Sequence, residues 1–405
     1  MYYNKYDSVY HRNLTSLQRI IFKIIGLSPW TVEISKLSHK SRKVDNVQNN
    51  ICYFSYAGSF YNILLIILGV LSILYSSFNN MLEIPERDIL VTKNTLSNIK
   101  FFSVVEVLIV ILIYIFRQNK IINILNQLRN VDNDLQKCAV FTSENNYIVV
   151  HFIFFGNFLI YCCYLAMDCY IYQFENILLQ IVMLHSPIII FSWIIVQYTI
   201  LLDIIDKRFK SINLMIIKLS DTKSHLNQSQ ILFVSKNLLL RDSVHYDVKN
   251  IKCAYVKLCE ICGDIADFYG LPILIAITYI GGSSILISYF FMLLFSETIQ
   301  IDYIVCLCQG MRLLWMALLI LMLTTYVTKT INQSNETANI INVLMDRCAM
   351  DEKVEKEFVK FLRHLLFRMV KFTACDIISL DCRLLATIAG TVVTYIIILI
   401  QFRTN

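Results

Sequence analysis

Glycine and proline are scarce in this 405-residue chain, at ten and four, and charged residues make up only 16% of it. So few backbone breakers exclude a collagen-like or low-complexity chain, and so few charges exclude a disordered one. Catalytic patterns are missing too. The seven histidines are dispersed, no glycine-rich phosphate loop follows a strand, and no His-Glu-x-x-His or paired-carboxylate cluster sits in an apolar run. Neither an enzyme nor a cofactor is expected. Met1–Thr15 is polar, carries Lys5, Asp7 and Arg12, and has no apolar core. The first apolar run would therefore serve as its own insertion signal.

What abounds is apolar. With 57% hydrophobic residues and a mean hydropathy of +0.58, the chain reads as an all-α integral membrane protein. Its thirteen cysteines fall mostly in apolar runs or in loops expected to be cytosolic, which argues against a disulfide framework. Cys259-x-x-Cys262 is the one pair at metal-like spacing. It has no second pair near it, so it reads as packing or reduced thiols and no metal is expected.

Seven spans are expected, at Ile51–Ser77, Ile99–Phe116, Tyr147–Met167, Ile177–Leu202, Pro272–Phe295, Asp302–Thr328 and Leu384–Phe402. Pro187 should kink the fourth, and Pro272 should open the fifth. The corresponding organisation is a cytosolic N-terminal segment 1–50, spans one to four in 51–202 and a cytosolic helical connection 203–270. Spans five and six follow in 271–328, a cytosolic helical anchor in 329–383, and a last span in 384–405. Lys and Arg fix the orientation: 31 of the 36 lie in the segments 1–50, 117–146, 203–270 and 329–383, and only Arg87, Lys93 and Arg403 lie on the other side. That bias puts the N-terminus in the cytosol and the C-terminus outside. It also accounts for the net charge of +6 without nucleic acid. The four sequons, at Asn13, Asn227, Asn332 and Asn335, then face the cytosol, where they receive no glycan.

The last span carries the clearest pattern. Its nineteen residues from Leu384 to Phe402 rise about 28 Å as a helix, enough for a bilayer core. Thr387, Thr391, Thr394, Gln401 and Asn405, with Ile398 between, recur at steps of four and three and share one face. Such a stripe suits close helix packing. It equally suits a pore wall with Gln401 as the polar ring and Ile398 or Phe402 as a hydrophobic constriction.

Thr394-Tyr395, five apolar residues, then Gln401-Phe402 resembles the signature that closes insect gustatory receptors. Phe372-Thr373-Ala374-Cys375 followed by Leu380-Asp381 resembles the run that precedes it. The resemblance implies a tetrameric, tastant-gated cation channel, homomeric or heteromeric, in the plasma membrane of a sensory neuron. Its last helix would line a pore with Thr391, Thr394, Ile398, Gln401 and Phe402. One departure stands out: sugar-receptor branches often carry an acidic residue after the Thr-Tyr pair, and this chain has Ile396. An odorant-receptor-like subunit is the alternative. A transporter would need coupled charges at the midplane, and a G-protein-coupled receptor the reverse topology.

Two charges fall inside spans, Glu106 about 10 Å and Arg312 about 15 Å from the outer end by helical rise. Both are costly in lipid and their depths permit a mutual ion pair. The resemblance implies an outward-facing ligand pocket among spans two to six. Its candidate residues are Glu106, Arg312, Tyr161, Tyr164, Asp168, His185, Tyr289, Gln309 and Trp315. Aromatic faces with a few polar groups suit a small organic tastant, with membrane lipid around the rest.

Overall fold

The computed structural model describes residues 19–32, 52–82, 87–136, 138, 148–171, 186–226, 234–295, 303–347 and 352–404. Nearly all of these are helical: α1 (Tyr56–Leu82), α2 (Arg87–Phe116), α3 (Gln118–Gln136), α4 (Ile148–Ile171), α5 (Ser186–Leu226), α6 (Val234–Phe295), α7 (Tyr303–Arg347), α8 (Glu352–Phe367) and α9 (Arg383–Thr404). Helices cover most of the described parts of the expected spans; the first span's Cys52–Ser55 precede α1, and 177–185 of the fourth lie outside the described residues. Among the described residues, α1, α5, α6 and α7 hold stretches long and apolar enough to cross a membrane, and the bent pair α2–α3 makes a fifth. The described apolar parts of α4 and α9 are shorter.

Length is the organising fact. At 1.5 Å per residue, the 41, 62 and 45 residues of α5, α6 and α7 rise about 60, 90 and 70 Å, two to three times a hydrocarbon core. Each is apolar in one part and charged in the other, so one set of helices builds both a lipid-compatible bundle and a polar-surfaced layer. The most extensive packing is between α5 and α7. Its apolar seam gives way to a polar one, where the Thr337 hydroxyl donates to Asn213 Oδ1 at 2.6 Å and Asn213 Nδ2 to the Gln333 carbonyl at 3.0 Å. Tyr255 joins from α6, its hydroxyl 2.8 Å from Ser334 Oγ. Buried polar atoms are tolerable here because they are paired.

One proline expectation is corrected and one falls outside the described residues. Pro187 is the second described residue of α5, and 177–185, which it was expected to kink away from, lie outside them. Pro272 does not start a helix. It is buried within α6, which runs through it unbroken; the loss of one ladder bond to the Phe268 carbonyl is outweighed by tertiary packing on both sides.

The polar helical connection expected after span two is seen as α3. At Arg117 the chain turns by 59° into α3. Ile121, Ile124, Leu128, Val131 and Leu135 form the buried stripe of α3 and dock it on α6. The bend is pinned there: Arg117 Nη2 lies 2.7 Å from Asp267 Oδ2 and its Nη1 donates to the Asp267 carbonyl at 2.8 Å, with Lys120 on the same carboxylate.

Into that corner goes residues 19–32. Leu27 is fully buried, and Phe22 packs edge-on against Phe154 and Trp193. Side chains from three helices hold its backbone carbonyls. Tyr61 donates to Ile24 O at 2.6 Å, Asn62 to Gly26 O at 2.8 Å, Gln197 to Leu27 O at 3.2 Å and Gln118 to Pro29 O at 2.8 Å. Gly26 supplies the positive φ the turn requires, at 87°. A strand pair, β1 (Thr31–Val32) with β2 (Cys52–Tyr53), ends the segment.

Candidate functional site: an aromatic cavity and the last helix

Four helices meet at a narrow cavity of about 10 Å³. Tyr161 comes from α4, Phe191 and Ser192 from α5, Tyr279 and Ile280 from α6, and Arg312, Trp315 and Met316 from α7. The rings interlock, with Phe191 and Tyr279 centroids 4.8 Å apart. Tyr161 donates its hydroxyl to the Ile188 carbonyl at 3.1 Å, and Ser192 Oγ donates to Ile189 O at 2.9 Å. Arg312 Nη2 reaches the Tyr279 hydroxyl at 3.4 Å. Two buried donors have no acceptor among the described residues, Arg312 Nε and Trp315 Nε1. Leaving such a group unmade costs about 1–3 kcal/mol.

Three of the residues nominated from sequence, Tyr161, Arg312 and Trp315, therefore share one cavity. Glu106, Tyr289 and Gln309 do not line it. The side chains of Tyr164 and Asp168, and His185 altogether, lie outside the described residues. The ion pair between Glu106 and Arg312 is not formed. Glu106 is half-buried on α2, which packs against α1, α5 and α6, whereas Arg312 turns to the space between α5, α6 and α7. Sequence reasoning missed Phe191, Ser192 and Tyr279. Phe191 and Ser192 sit three and four residues after Ile188, a helical spacing, but these residues lie in apolar runs where no nearby charge marked them.

The run Phe372 to Asp381 acquires a structural meaning. It forms a hairpin, β3 (Thr373–Ala374) with β4 (Ile378–Ser379). Cys375 and Asp376 take positive φ, 53° and 56°, and the Ile377 N–H returns to Ala374 O at 3.1 Å. These are the central residues of a type I′ turn. Asp376 accepts a bond from the Thr373 hydroxyl at 2.8 Å, one means of holding an Asp in that region. Phe372, Ala374 and Leu380 are buried against the body, and Gly270 of α6 lies under the turn, where an added Cβ would come 3.1 Å from Cys375 N. Asp381 Oδ1 then accepts the Arg383 N–H at 2.9 Å and caps α9.

Among the described side chains of α9, one narrow face is buried against the body. Leu384 is buried, and Ile388, Val392 and Ile396 are half-buried at steps of four against α6 and α7. Thr387, Thr391, Thr394, Ile398 and Gln401 are exposed in the single chain. The Thr387, Thr391 and Thr394 hydroxyls each donate to the carbonyl four residues back, at 3.0, 2.8 and 2.9 Å. Their protons are spent inside the helix, so the stripe turns oxygen lone pairs outward. A second exposed face is apolar and holds Val393, Ile397 and Ile400. The Phe402 side chain lies outside the described residues.

Comparison with known proteins agrees at several levels. The insect olfactory receptor OR5 from Machilis hrabei superposes with a TM-score of 0.65 at 13% identity, over 98% of this chain and all of that one. The same receptor in complex with eugenol gives 0.64 at 14% identity and the same coverage; likeness at that identity establishes the fold. Gustatory receptor 28a of Drosophila melanogaster is 27% identical over 226 residues, 50% of this chain and 48% of that protein. Gustatory receptor 28b is 32% identical over 77 residues, 19% of this chain and 16% of that one. The chain thus spans about half the length of the first curated relative and less of the second. A family model described as 7tm chemosensory receptor matches residues 18–405, and with that match across almost the whole sequence the chain belongs to this family of membrane chemosensory receptors.

Proposed function

We propose that the chain is a gustatory receptor, a tastant-gated, non-selective cation channel of the plasma membrane of a sensory neuron. Four copies, identical or mixed, surround an axis lined by the Thr391, Thr394, Ile398 and Gln401 stripe, with Phe402 beside it. Seven spans run from a cytosolic N-terminus to an extracellular C-terminus. The charged parts of α5, α6, α7 and α8 form the cytosolic anchor. The observation that supports this best is the exposure of a polar, oxygen-bearing stripe on a helix in a membrane protein. Lipid offers such a face nothing, whereas a water-filled axis does. Eugenol is bound by a receptor of the same fold, and the aromatic cavity is our candidate tastant site.

The test is current recorded from oocytes expressing the chain. Thiol reagents should alter tastant-evoked current when cysteine replaces Thr394, Ile398 or Gln401, and should not when it replaces Val393 or Ile397 on the apolar face. Gln401→Glu should increase block or permeation by divalent cations, because a ring of carboxylates replaces neutral amides. Reagents that act equally on both faces, or on neither, would remove α9 from the pore.

A further inference from the structure

Cavities of this kind are usually satisfied by their own walls. This one leaves a guanidinium Nε–H and an indole N–H without acceptors, while its other polar groups bond to backbone or to each other. No carboxylate among the described residues pairs with Arg312, since Glu106 stands elsewhere. Both donors belong to side chains that line the cavity, whose open wall is apolar as it stands, so a ligand that parts these rings meets a guanidinium and an indole N–H with no acceptor of their own. A protonated amine would meet like charge in a low dielectric. A carboxylate, phenolate, ester or lactone would supply what is missing.

Resting on the reading of the cavity as the tastant site, we propose that it selects small planar aromatic ligands carrying an acceptor oxygen, anionic ones first, and rejects cationic amines. The Arg312 guanidinium and the Trp315 indole take the oxygen, and Phe191 and Tyr279 take the ring. With room for about one water in the cavity as it stands, a ligand enters by parting these rings, which limits it to flat molecules of about one ring.

Melting of the purified full chain in lipid nanodiscs, titrated with benzoate, methyl benzoate and benzylammonium, tests this without requiring a channel to open. A ligand bound to the folded state raises the melting temperature in proportion to its occupancy. Benzoate should bind at least about tenfold more tightly than benzylammonium. Arg312→Gln should erase that preference. Arg312→Lys, which keeps the charge and loses the Nε donor, should retain it, and so guards against a folding artefact in the first variant. Trp315→Phe should weaken methyl benzoate about fivefold, and Phe191→Ala should abolish all shifts. The proposal is overturned if no compound shifts the melt, if the ammonium binds as well as the carboxylate, or if Phe191→Ala leaves the shifts intact. Normal shifts without tastant-evoked current would instead refute the channel reading alone.

Discussion

Gly58 shows how much a single hydrogen atom can carry. A Cβ built there would lie 2.2 Å from the Pro29 carbonyl oxygen, an atom already held by Gln118 Nε2. The glycine is buried in the first turn of α1, where its N–H donates to Ser55 Oγ at 3.1 Å, so neither partner can retreat cheaply. Gly58→Ala should destabilise the protein by about 2–3 kcal/mol, the upper range of overpacking. Fluorescence-detected size exclusion after heating would read it as a lowered melting temperature and reduced surface expression; a wild-type profile would mean that residues 19–32 are not docked as described. The sequence did not expose this contact. It gave 1–50 as a cytosolic segment, but a glycine chosen for an approach from about thirty residues upstream has no local signature. Asp381 is the reverse case. Its place in a family-like motif drew attention, and its bond to the Arg383 N–H supplies the reason such a residue belongs there.

At the scale of elements, α8 is an amphipathic helix that buries Val354, Phe358, Phe361 and Leu365 and meets α6 through charge. Glu357 Oε2 lies 3.0 Å from Lys252 Nζ on α6, and its Oε1 lies 2.7 Å from Lys360 Nζ. Hydrogen bonds from Lys360 and Lys252 hold its carboxyl at about 2, below the usual 4.5. A depressed pKa stabilises the fold above the unfolded value, and that contribution fades as pH falls from about 4.5 through about 2. Glu357→Gln should therefore cost about 1–2 kcal/mol at neutral pH. The gap in melting temperature between wild type and variant should close across pH 4.5 to 2. A gap that is independent of pH would separate the carboxylate from the docking. The sequence conveyed helix in the described parts of 203–270 and 329–367, because their apolar repeats are local, but not the hairpin that ends 329–383. It could not convey that these helices are continuous with the spans. Pro272 sits inside α6, and charges that normally end an apolar run sit inside α5 and α6, where packing on both sides overrides them.

For the whole molecule, the orientation inferred from Lys and Arg has a direct check. An epitope or engineered sequon within residues 83–93 should be reached from outside intact cells. Asn335 is exposed on α7, so steric shielding cannot explain a missing glycan there. Its expected lack of glycan reports compartment alone, and a glycan at Asn335 would invert the topology. The cavity was half legible for a reason of the same kind. Arg312 and Trp315 are conspicuous in an apolar run, whereas Phe191 and Tyr279 are ordinary residues there until three-dimensional packing brings them together. Continuity of α6 carries one more consequence. Tyr279 at the cavity, Gly270 under the hairpin and Lys252 at α8 all ride on one unbroken rod, so the angular phase between them is fixed by residue count. Deleting one residue between Tyr255 and Gly270 rotates everything beyond it by about 100°, and no partner could follow. Inserting seven residues restores the phase to within about 20° while adding about 10 Å of length. Indels in this stretch should therefore be tolerated, if at all, in steps of seven, and a chimaera joined here should fold only when its parents are spliced in register.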